Sequence, residues 1–591
     1  MSQTVKLDLC SGLDGSKRQQ TTENFTRPSP DRGFAAAVAF IAPVKEAIAL
    51  MNPDLAGQSI MTQSLPHRLL IPAVLLCGLP ANAADPAAEA VMRVDEFLKE
   101  AWSAKQVIPA DPCNRTTFIR RVFLDLGGRI PTPAEQDHFL AVPDQRLRME
   151  VVDALLGSED YVRHLADILN WTLIGREYKS DGFQRKWRSW LEQIIRENRG
   201  WDQVIREVLL ARPKDPKNHG AVWFLYSRKD NFQAIAESIA PAVFGLRIEC
   251  AQCHDHMLAD EIQQRHYWGL VAFFNRGKNV MTTSGPRISE SAVGGFADFA
   301  DLEGGSSPNL LTFLDSKTVN ETRPAADAKI TDDDSLYGPA LIKDGPKIPL
   351  FSRREKFVAN VVMNHPRIAR AFVNRIWALL FNRGIVHPFD EMDSMHPASH
   401  PELLDWLASD FRSSGYNIRH LFRTMALSEA YQLQSITPTG TADPSTFAWF
   451  AQKPLTAEQL TRSLGVALRG ESGKNLDLRD LIRKRMPSVL PKSEAVDVKD
   501  ALFFSNNAEF LRFLKESQEP HHLIPSLERL ENNKDRAEVM MVRILGRGPT
   551  VDEKNRVVEF LDQSRDKGQL RSRIEQVVWA ILTSAEFRYN H

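Results

Sequence analysis

The chain has 591 residues, with 43% hydrophobic and 25% charged side chains. This composition supports packed cores and is ordinary for a water-exposed protein, and the length predicts two to four domains. Lys and Arg total 74 against 75 Asp and Glu, so no basic excess indicates a nucleic-acid-binding protein.

The N-terminal region has the pattern of a signal peptide behind a doubtful extension. Residues 1–60 follow no clear pattern and are interpreted as a disordered extension. A short basic segment, an apolar run at 69–79 and the sequence Ala81-Asn82-Ala83 predict a signal peptide over 61–83, cleaved before Ala84. The alternative is a buried helix at 69–79.

This pattern predicts a periplasmic or otherwise exported protein with no transmembrane span after cleavage, since the apolar run is too short to cross a bilayer. The mature chain would retain three cysteines: Cys113, Cys250 and Cys253. One C-x-x-C pair and one odd cysteine do not form a disulfide framework.

Residues 84–276 are predicted to form an N-terminal helical domain. Thr132-Pro133-Ala134-Glu135 has the sequence of a capping box with proline at the first helical position. Apolar residues at helical spacing predict helices near 91–102, 118–126, 133–140, 145–156, 160–176, 185–198, 201–211, 230–247 and 261–275.

The chemistry-bearing motif is Cys250-Ala251-Gln252-Cys253-His254, which has the C-x-x-C-H spacing of c-type haem attachment. Two thiols at this spacing reach the two vinyl groups of one porphyrin, and the following imidazole reaches the iron. Cys250 and Cys253 are therefore predicted to bind haem covalently, with His254 as the proximal ligand. Haem c is attached on the far side of the membrane, so the predicted export agrees with this interpretation.

Three other interpretations of the motif stay open. A zinc site would use Cys250 and Cys253 with two further ligands. A redox dithiol normally lies in a βαβ setting, which the sequence does not indicate, and a structural disulfide with a two-residue gap closes little chain. The further zinc ligands would come from His254, His256, Asp260 and His266.

The helix after the motif carries an aromatic side that includes Trp268, Phe273 and Phe274. These rings are either the wall of an apolar slot for a porphyrin or ordinary core, and core is the commoner role of such a stripe.

Residues 277–350 are rich in Gly, Ser, Asp and Pro and are predicted to be a linker or irregular insertion. Residues 351–591 are predicted to form a C-terminal helical domain. Within it, the loop 387–396 is dense in His and Asp, and Ser399 with Glu402 has the sequence of a second capping box.

Several stretches together resemble the planctomycete cytochrome-like family of secreted bacterial proteins, which combines two adjoining domains of unknown function. The resemblance covers about residues 90–590. The stretches that carry it are Phe118–Leu126, Ile130–Pro133, Cys250–His256, Ala272–Phe274, Phe372–Trp377, Phe381–Gly384, Ser399–Leu407 and Thr583–Phe587. One departure is Met257, where the family usually has proline, and the segment 258–261 also differs.

The sequence thus predicts a mainly α protein of two helical domains that carries one haem c, with zinc as the alternative cofactor. Its predicted role is electron transfer with an unknown redox partner protein. A haem- or zinc-dependent envelope enzyme or binding scaffold, linked to polysaccharide breakdown, is the alternative. Candidate sixth iron ligands, judged by their separation from the motif, are Met281, Met392, Met395, His387 and His396.

Overall fold

The structure is a computed structural model that describes residues 86–175, 182–325, 327–328, 330–438, 443–471, 478–486, 507–515 and 519–591. The predicted extension at 1–60 and signal peptide at 61–83 lie outside the described residues. In the part of the chain that is described, no helix is long and apolar enough to cross a membrane.

The first half of the chain is helical up to residue 274, as its periodicity predicts. Single turns of π-helix lie at Phe123–Gly127 and at Ala240–Phe244. The helices are α1 (Pro86–Ala104), α2 (Arg115–Val122), α3 (Pro133–Leu140), α4 (Asp144–Leu156), α5 (Glu159–Leu173), α6 (Gly182–Arg196), α7 (Trp201–Leu210), α8 (Trp223–Tyr226), α9 (Phe232–Ile239) and α10 (Gln264–Phe274).

The predicted capping box at the start of α3 is confirmed. The Thr132 side chain accepts the Glu135 backbone N–H, and the Glu135 carboxylate accepts the Thr132 N–H at 2.8 Å. Arg129 donates two hydrogen bonds to the same carboxylate, at 2.6 and 2.7 Å. The cap is therefore part of an ion pair that fixes the chain entering α3.

The segment 277–350 contains short antiparallel strands that the sequence analysis did not predict. The first pair is a hairpin, in which Gly277 lies opposite Glu290 and Thr282 opposite Gly285. The strands are β1 (Gly277–Thr282), β2 (Gly285–Glu290), β3 (Asp298–Ala300), β4 (Ser306–Pro308), β5 (Tyr337–Gly338) and β6 (Ile348–Pro349), paired in sequence order.

The second half returns to helices, and its last strand pair joins distant parts of the chain: β7 (Lys453–Pro454) lies antiparallel to β8 (Tyr589–Asn590). The helices are α11 (Arg353–Phe357), α12 (Pro366–Phe381), α13 (Pro401–Ser413), α14 (Ile418–Leu427), α15 (Ala457–Arg469), α16 (Leu478–Arg485), α17 (Ala508–Lys515), α18 (Leu523–Glu528), α19 (Asn533–Leu545), α20 (Val551–Asp562), α21 (Lys567–Leu582) and α22 (Ala585–Arg588).

The predicted capping box at Ser399 is wrong. The N-cap of α13 is His400, whose side chain makes no capping hydrogen bond. Ser399 instead donates both its backbone N–H and its hydroxyl to the Ile385 carbonyl, at 2.9 and 3.1 Å. Its hydroxyl therefore ties the loop to the preceding segment, and α13 begins at Pro401, one residue later than the predicted capping box requires.

Helices from both halves share one hydrophobic core. The cluster of buried apolar side chains runs from Val94 to Phe450. The Trp201 ring of α7 stacks on Phe372 of α12 at 4.3 Å between ring centres, and Arg375 donates to the Ala242 carbonyl at 3.1 Å. The mainly α fold is confirmed, while the division into two domains at 277–350 stays a prediction.

Candidate functional site

The C-x-x-C-H motif lies on a single turn of 3-10 helix, Glu249–Gln252, and on the loop that leads to α10. The loop closes on itself, because the His256 N–H donates to the Ile262 carbonyl at 2.8 Å and the Ile262 N–H donates to the Ala259 carbonyl at 2.9 Å. Buried Ile262 and Ala259 anchor the loop to the core. The motif therefore lies at the surface, on a loop that is anchored to the core.

The two motif thiols are exposed and free, whereas the third described cysteine, Cys113, is buried. Cys250 and Cys253 are accordingly available to a reagent or a cofactor from solvent. Their backbones are held in one tight turn, in which the Ala251 N–H donates to the Ile248 carbonyl at 2.9 Å.

The two histidines of the loop differ in which ring nitrogen is free. Nδ1 of His254 lies 2.6 Å from the Asp255 carbonyl oxygen. A carbonyl only accepts, so Nδ1 must carry the proton and the Nε2 lone pair of His254 is free. That tautomer, with Nδ1–H bound to a carbonyl, is the one a metal-ligating imidazole uses.

His256 has the opposite tautomer. Its Nδ1 accepts the backbone N–H groups of Leu258 and Ala259, at 3.3 and 2.9 Å. The neutral ring therefore carries its proton on Nε2 and has no lone pair there for a metal. His256 organises the loop.

His266, in the first turn of α10, is also used structurally. Its Nδ1 accepts the Gln263 N–H at 3.2 Å, and its buried Nε2 has no hydrogen-bond partner. Burial lowers the pKa of His266 to about 4, so the ring is neutral at physiological pH. Neither His256 nor His266 offers a free lone pair toward the two thiols.

In the described ranges, no group of three or more His, Cys, Asp or Glu side chains is placed to hold a metal ion. A closed structural zinc site needs four ligands. With Cys250 and Cys253, it would take His254 and Asp260, or it would have to draw His256 or His266 out of their backbone contacts. Covalent haem attachment uses two free thiols and one imidazole with a free nitrogen.

Cys250, Cys253 and His254 supply these donor types. Cys250 and Cys253 would hold the group and His254 would face its iron.

Helix α10, which follows the motif, is hydrogen-bonded to it. Trp268 Nε1 donates to the Gln252 carbonyl at 3.1 Å, and the Gln264 side chain donates to the same oxygen at 3.2 Å. The Gln264 backbone N–H donates to the Asp255 carboxylate at 2.7 Å. Together these bonds hold both ends of the Gln252–Asp255 segment.

The predicted aromatic wall divides into two parts. Phe273 and Phe274 are buried and pack against Phe357 of α11, with ring centres 5.0 and 5.3 Å apart. They form core, which was the commoner of the two expected roles. Trp268 is half-buried and is the aromatic ring of the three that contacts the motif.

The segment just before the motif packs closely against the second half of the chain at Gly245. Gly245 ends the π-turn at φ +67°, and its carbonyl accepts the Met392 N–H at 2.8 Å. A Cβ at Gly245 would lie 2.8 Å from Met392 Sδ and 3.0 Å from Ala371 Cβ. Glycine is therefore required both by the backbone and by this packing.

Ion pairs on one side and hydrogen bonds on the other connect the loop 387–400 to the segments that flank the motif. Arg247, three residues before Cys250, donates to Asp390 at 2.5 Å and lies 3.4 Å from Glu391. On the other side, Glu261 accepts the Ser394 backbone N–H at 2.7 Å and its hydroxyl at 2.9 Å. The ligand-rich loop of the second half thus lies against the motif segment.

His396 of that loop is engaged with its own neighbours. His396 Nδ1 lies 2.7 Å from Asp393 Oδ1, and Nε2 lies 3.7 Å from Glu391. A role for His396 or Met395 as sixth iron ligand, which would bring it close to His254, stays a prediction, since the contacts that join the two loops are those of Arg247 and Glu261.

The candidate sixth ligands occupy different surroundings. Met392 is buried in its contact with Gly245, whereas Met281 and Met395 are exposed. His387 is half-buried and precedes Pro388 in a cis peptide bond. The sequence analysis did not find Arg247, Glu261 and Gln264, whose roles depend on partners between 9 and 143 residues away.

These features define a helical protein that presents one exposed C-x-x-C-H loop, braced by a second helical region. Residues 93–279 match the family described as PSCyt2, "Protein of unknown function (DUF1549)". Residues 353–474 match PSD1, "Protein of unknown function (DUF1553)". The chain therefore contains two adjoining domains of unknown function, the motif in the first and the loop 387–400 in the second. No curated protein and no solved structure matches the chain.

Proposed function

We propose that the protein is an exported c-type haem protein that transfers electrons to or from a partner protein. The observation that carries the proposal is the combination of two free, exposed thiols with His254, whose Nε2 lone pair is free. When bound, haem supplies a one-electron couple whose potential depends on the axial ligands and on burial.

The residues of this chain would have distinct roles around the group. Cys250 and Cys253 would attach it, and His254 would ligate the iron with its tautomer held by the Asp255 carbonyl. Trp268 and Gln264, by holding the Gln252 carbonyl, would keep the two attachment cysteines and His254 close together. This bracing is what a rigid electron-transfer site requires, because small changes in ligand geometry change the potential.

The surroundings of the motif suit a protein partner. Met257 and Leu258 are 82% and 64% exposed, directly beside the motif. Glu249, Asp255 and Asp260 are also exposed around it. An exposed apolar tip with acidic neighbours supports a redox partner with a complementary basic surface.

The test is expression of the chain in a host that matures c-type cytochromes, followed by reduced-minus-oxidised absorption spectra of the purified protein. We expect a c-type spectrum from the wild type and none from the Cys250→Ser, Cys253→Ser double variant. Cys113→Ser is the matched control, because this cysteine is buried and lies outside the motif. A wild-type protein with stoichiometric zinc and no visible absorption would overturn the proposal.

Export is part of the same proposal and is tested separately. N-terminal sequencing of the mature protein should begin at Ala84, as the basic, apolar and A-x-A order of residues 67–83 predicts. A mature chain that retains residues 1–60 would contradict it.

A further inference from the structure

Four large apolar side chains from three different segments around the motif are exposed to solvent. Met257 and Leu258 belong to the motif loop itself. Leu302, in the turn between β3 and β4, is 74% exposed, and Met395, in the loop 387–400, is 47% exposed. Single exposed apolar residues are ordinary, whereas several of them in one region indicate a contact surface.

Hydrogen bonds bring the three segments together. The side-chain nitrogen of Gln264, in α10, donates to the Gln252 carbonyl at 3.2 Å and to the Ala300 carbonyl at 2.8 Å. The motif turn and the end of β3 are therefore bonded to the same amide group. On the other side of the motif, Glu261 accepts the backbone N–H and the hydroxyl of Ser394 in the second-half loop. The three turns thus lie side by side.

The turns are also fixed internally. Between β3 and β4, the Asp301 carboxylate accepts the backbone N–H groups of Glu303 and Gly305, at 3.0 and 2.7 Å. In the second-half loop, the Met395 N–H donates to the Asp393 carboxylate at 3.0 Å. A surface whose turns are already ordered loses little conformational freedom when a partner binds, which favours association.

The same three segments are acidic. Residues 249–261, 298–308 and 387–400 contain four, three and three Asp or Glu residues, and no Lys or Arg, although the whole chain has a net charge of only −1. Three arginines at the edges of these segments offset part of the charge; they are Arg247, Arg265 and Arg323. The surface around the motif is therefore negative, unlike the chain as a whole.

This charge decides which partner the surface accepts. Anionic lipid headgroups and nucleic acid carry the same sign and would be repelled. A second copy of the chain, packed face to face, would bring two acidic surfaces together. A protein with basic side chains around a small apolar centre complements both the charge and the exposed apolar groups.

We propose that Met257, Leu258, Leu302 and Met395, with the acidic residues around them, form a docking surface for a basic partner protein. The inference rests on the proposed function, because it identifies where the haem protein meets its redox partner. It extends that function in one respect: recognition depends on both halves of the chain and on the β3–β4 turn between them, and not on the motif loop alone.

The experiment is calorimetric titration of the full chain with a strongly basic c-type cytochrome, whose haem edge is surrounded by lysines. We expect saturable 1:1 binding that weakens as the chloride concentration rises, because salt screens the charges at the rim. An acidic c-type cytochrome of similar size is the matched probe and should not bind. Absence of saturable binding by the basic probe, or equal binding of both probes, would overturn the proposal.

Charge reversal tests the acidic rim. The double variant Asp260→Lys, Glu303→Lys changes two exposed acids of the surface and should weaken binding about tenfold or more. The control is Glu100→Lys, Glu559→Lys, which makes the same change in net charge at exposed positions of α1 and α20 and should have a much smaller effect. Equal effects would show that the probe responds only to net charge, and would contradict the assigned surface.

Leu302→Ser tests the apolar centre while every charge stays in place. It should weaken binding about threefold or more at both low and high chloride, since the contact it removes is not screened by salt. Val551→Ser is the matched control, because Val551 is 79% exposed at the start of α20, and it should leave the affinity unchanged. Equal affinity of the Leu302→Ser variant and the wild type would remove the β3–β4 turn from the surface.

A haem stain of the same protein separates this inference from the proposed function. A stained chain that does not bind the basic probe would overturn the docking surface and leave the haem assignment standing. An unstained chain that binds the probe, with the expected losses in the variants, would support the surface and contradict the haem assignment.

Discussion

At the scale of single residues, the hydrogen-bond donors and acceptors around each imidazole decide its role. His254 and His256 are two residues apart in the same loop, yet one faces a carbonyl oxygen and the other accepts backbone N–H groups. The first leaves Nε2 free to ligate iron, while the second uses its lone pair to hold the turn. Their chemical roles should therefore separate on mutation.

We predict that His254→Ala changes the visible spectrum of the haem-loaded protein, because it removes the proximal ligand. His256→Ala is the matched control. It should leave the spectrum close to wild type but lower the free energy of unfolding by about 0.5–1.5 kcal/mol, since two backbone N–H groups lose their acceptor and bind water instead. Absorption spectra and urea unfolding check both variants. Equal spectral changes in the two would contradict the assignment.

A pH effect is expected from Asp95 in α1. Burial raises the pKa of Asp95 to about 6, although its carboxylate accepts the Glu429 N–H at 2.7 Å. A carboxyl whose folded pKa is raised stabilises the fold below its unfolded pKa, near 4, and that stability is lost as the pH rises through 6. Asp95→Asn should therefore unfold with a smaller loss of stability between pH 4 and 6 than the wild type. Parallel curves for both proteins would contradict this prediction.

The motif residues could be predicted from the sequence because their chemistry depends on spacing within five residues. Cys250 and Cys253 are exposed, and His254 directly after them is half-buried. The distinction between His254 and His256 could not be predicted, since it depends on which backbone groups the folded loop points at each ring.

At the scale of elements, the junction of Gly245 with Met392 fixes the approach to the motif. The backbone at Gly245 is left-handed, and the loop of the second half packs directly on it. Gly294 has a comparable φ of +79°, but a Cβ added there would meet no atom within 4 Å. The comparison of the two glycines therefore separates backbone strain from packing.

We predict that Gly245→Ala lowers the free energy of unfolding by more than Gly294→Ala. Both variants carry about 1–2 kcal/mol of left-handed strain, and Gly245→Ala adds about 1–3 kcal/mol of overpacking against Met392. Chemical denaturation of the two variants measures the difference. Equal losses would show that the junction relaxes around the added methyl group.

At the ends of helices, the sequence predicts a cap correctly where both capping partners lie in the same turn. Thr132 and Glu135 cap α3 as their spacing indicates, because both partners lie in the same turn. The similar pattern at Ser399 does not form a capping box. The Ser399 hydroxyl instead donates to the Ile385 carbonyl, 14 residues away. The strands between 277 and 308 were missed because they are short and polar, without the apolar alternation that indicates a strand.

At the scale of the whole molecule, a buried polar cluster ties the first half to the last. Lys453 pairs with Asp125 at 2.8 Å and donates to the Leu380 carbonyl at 2.8 Å. Tyr431 donates its hydroxyl to the same Asp125 carboxylate at 2.8 Å. Burial lowers the pKa of Lys453 and raises that of Tyr431. Sequence patterns give no sign of this cluster, because Asp125 lies over 300 residues from both partners.

We predict that Lys453→Met lowers the free energy of unfolding by about 3–5 kcal/mol, because it leaves the Asp125 charge buried without its cation. Arg323→Met is the control, since its ion pair with Asp298 is exposed and screened by solvent, and its effect should be small. Thermal and urea unfolding measure both. A loss for Lys453→Met no larger than that of the control would contradict the proposed contribution of the cluster.

The central claim is a covalent haem at Cys250 and Cys253, and a haem stain after denaturing gel electrophoresis tests it most directly. A non-covalent cofactor is lost on denaturation, whereas a thioether-linked one stays with the chain. With protein from a host that also matures a known c-type cytochrome, we expect a stained band at the mass of the chain. That band should disappear in the Cys250→Ser, Cys253→Ser double variant. An unstained wild-type band beside a stained reference cytochrome would contradict the account.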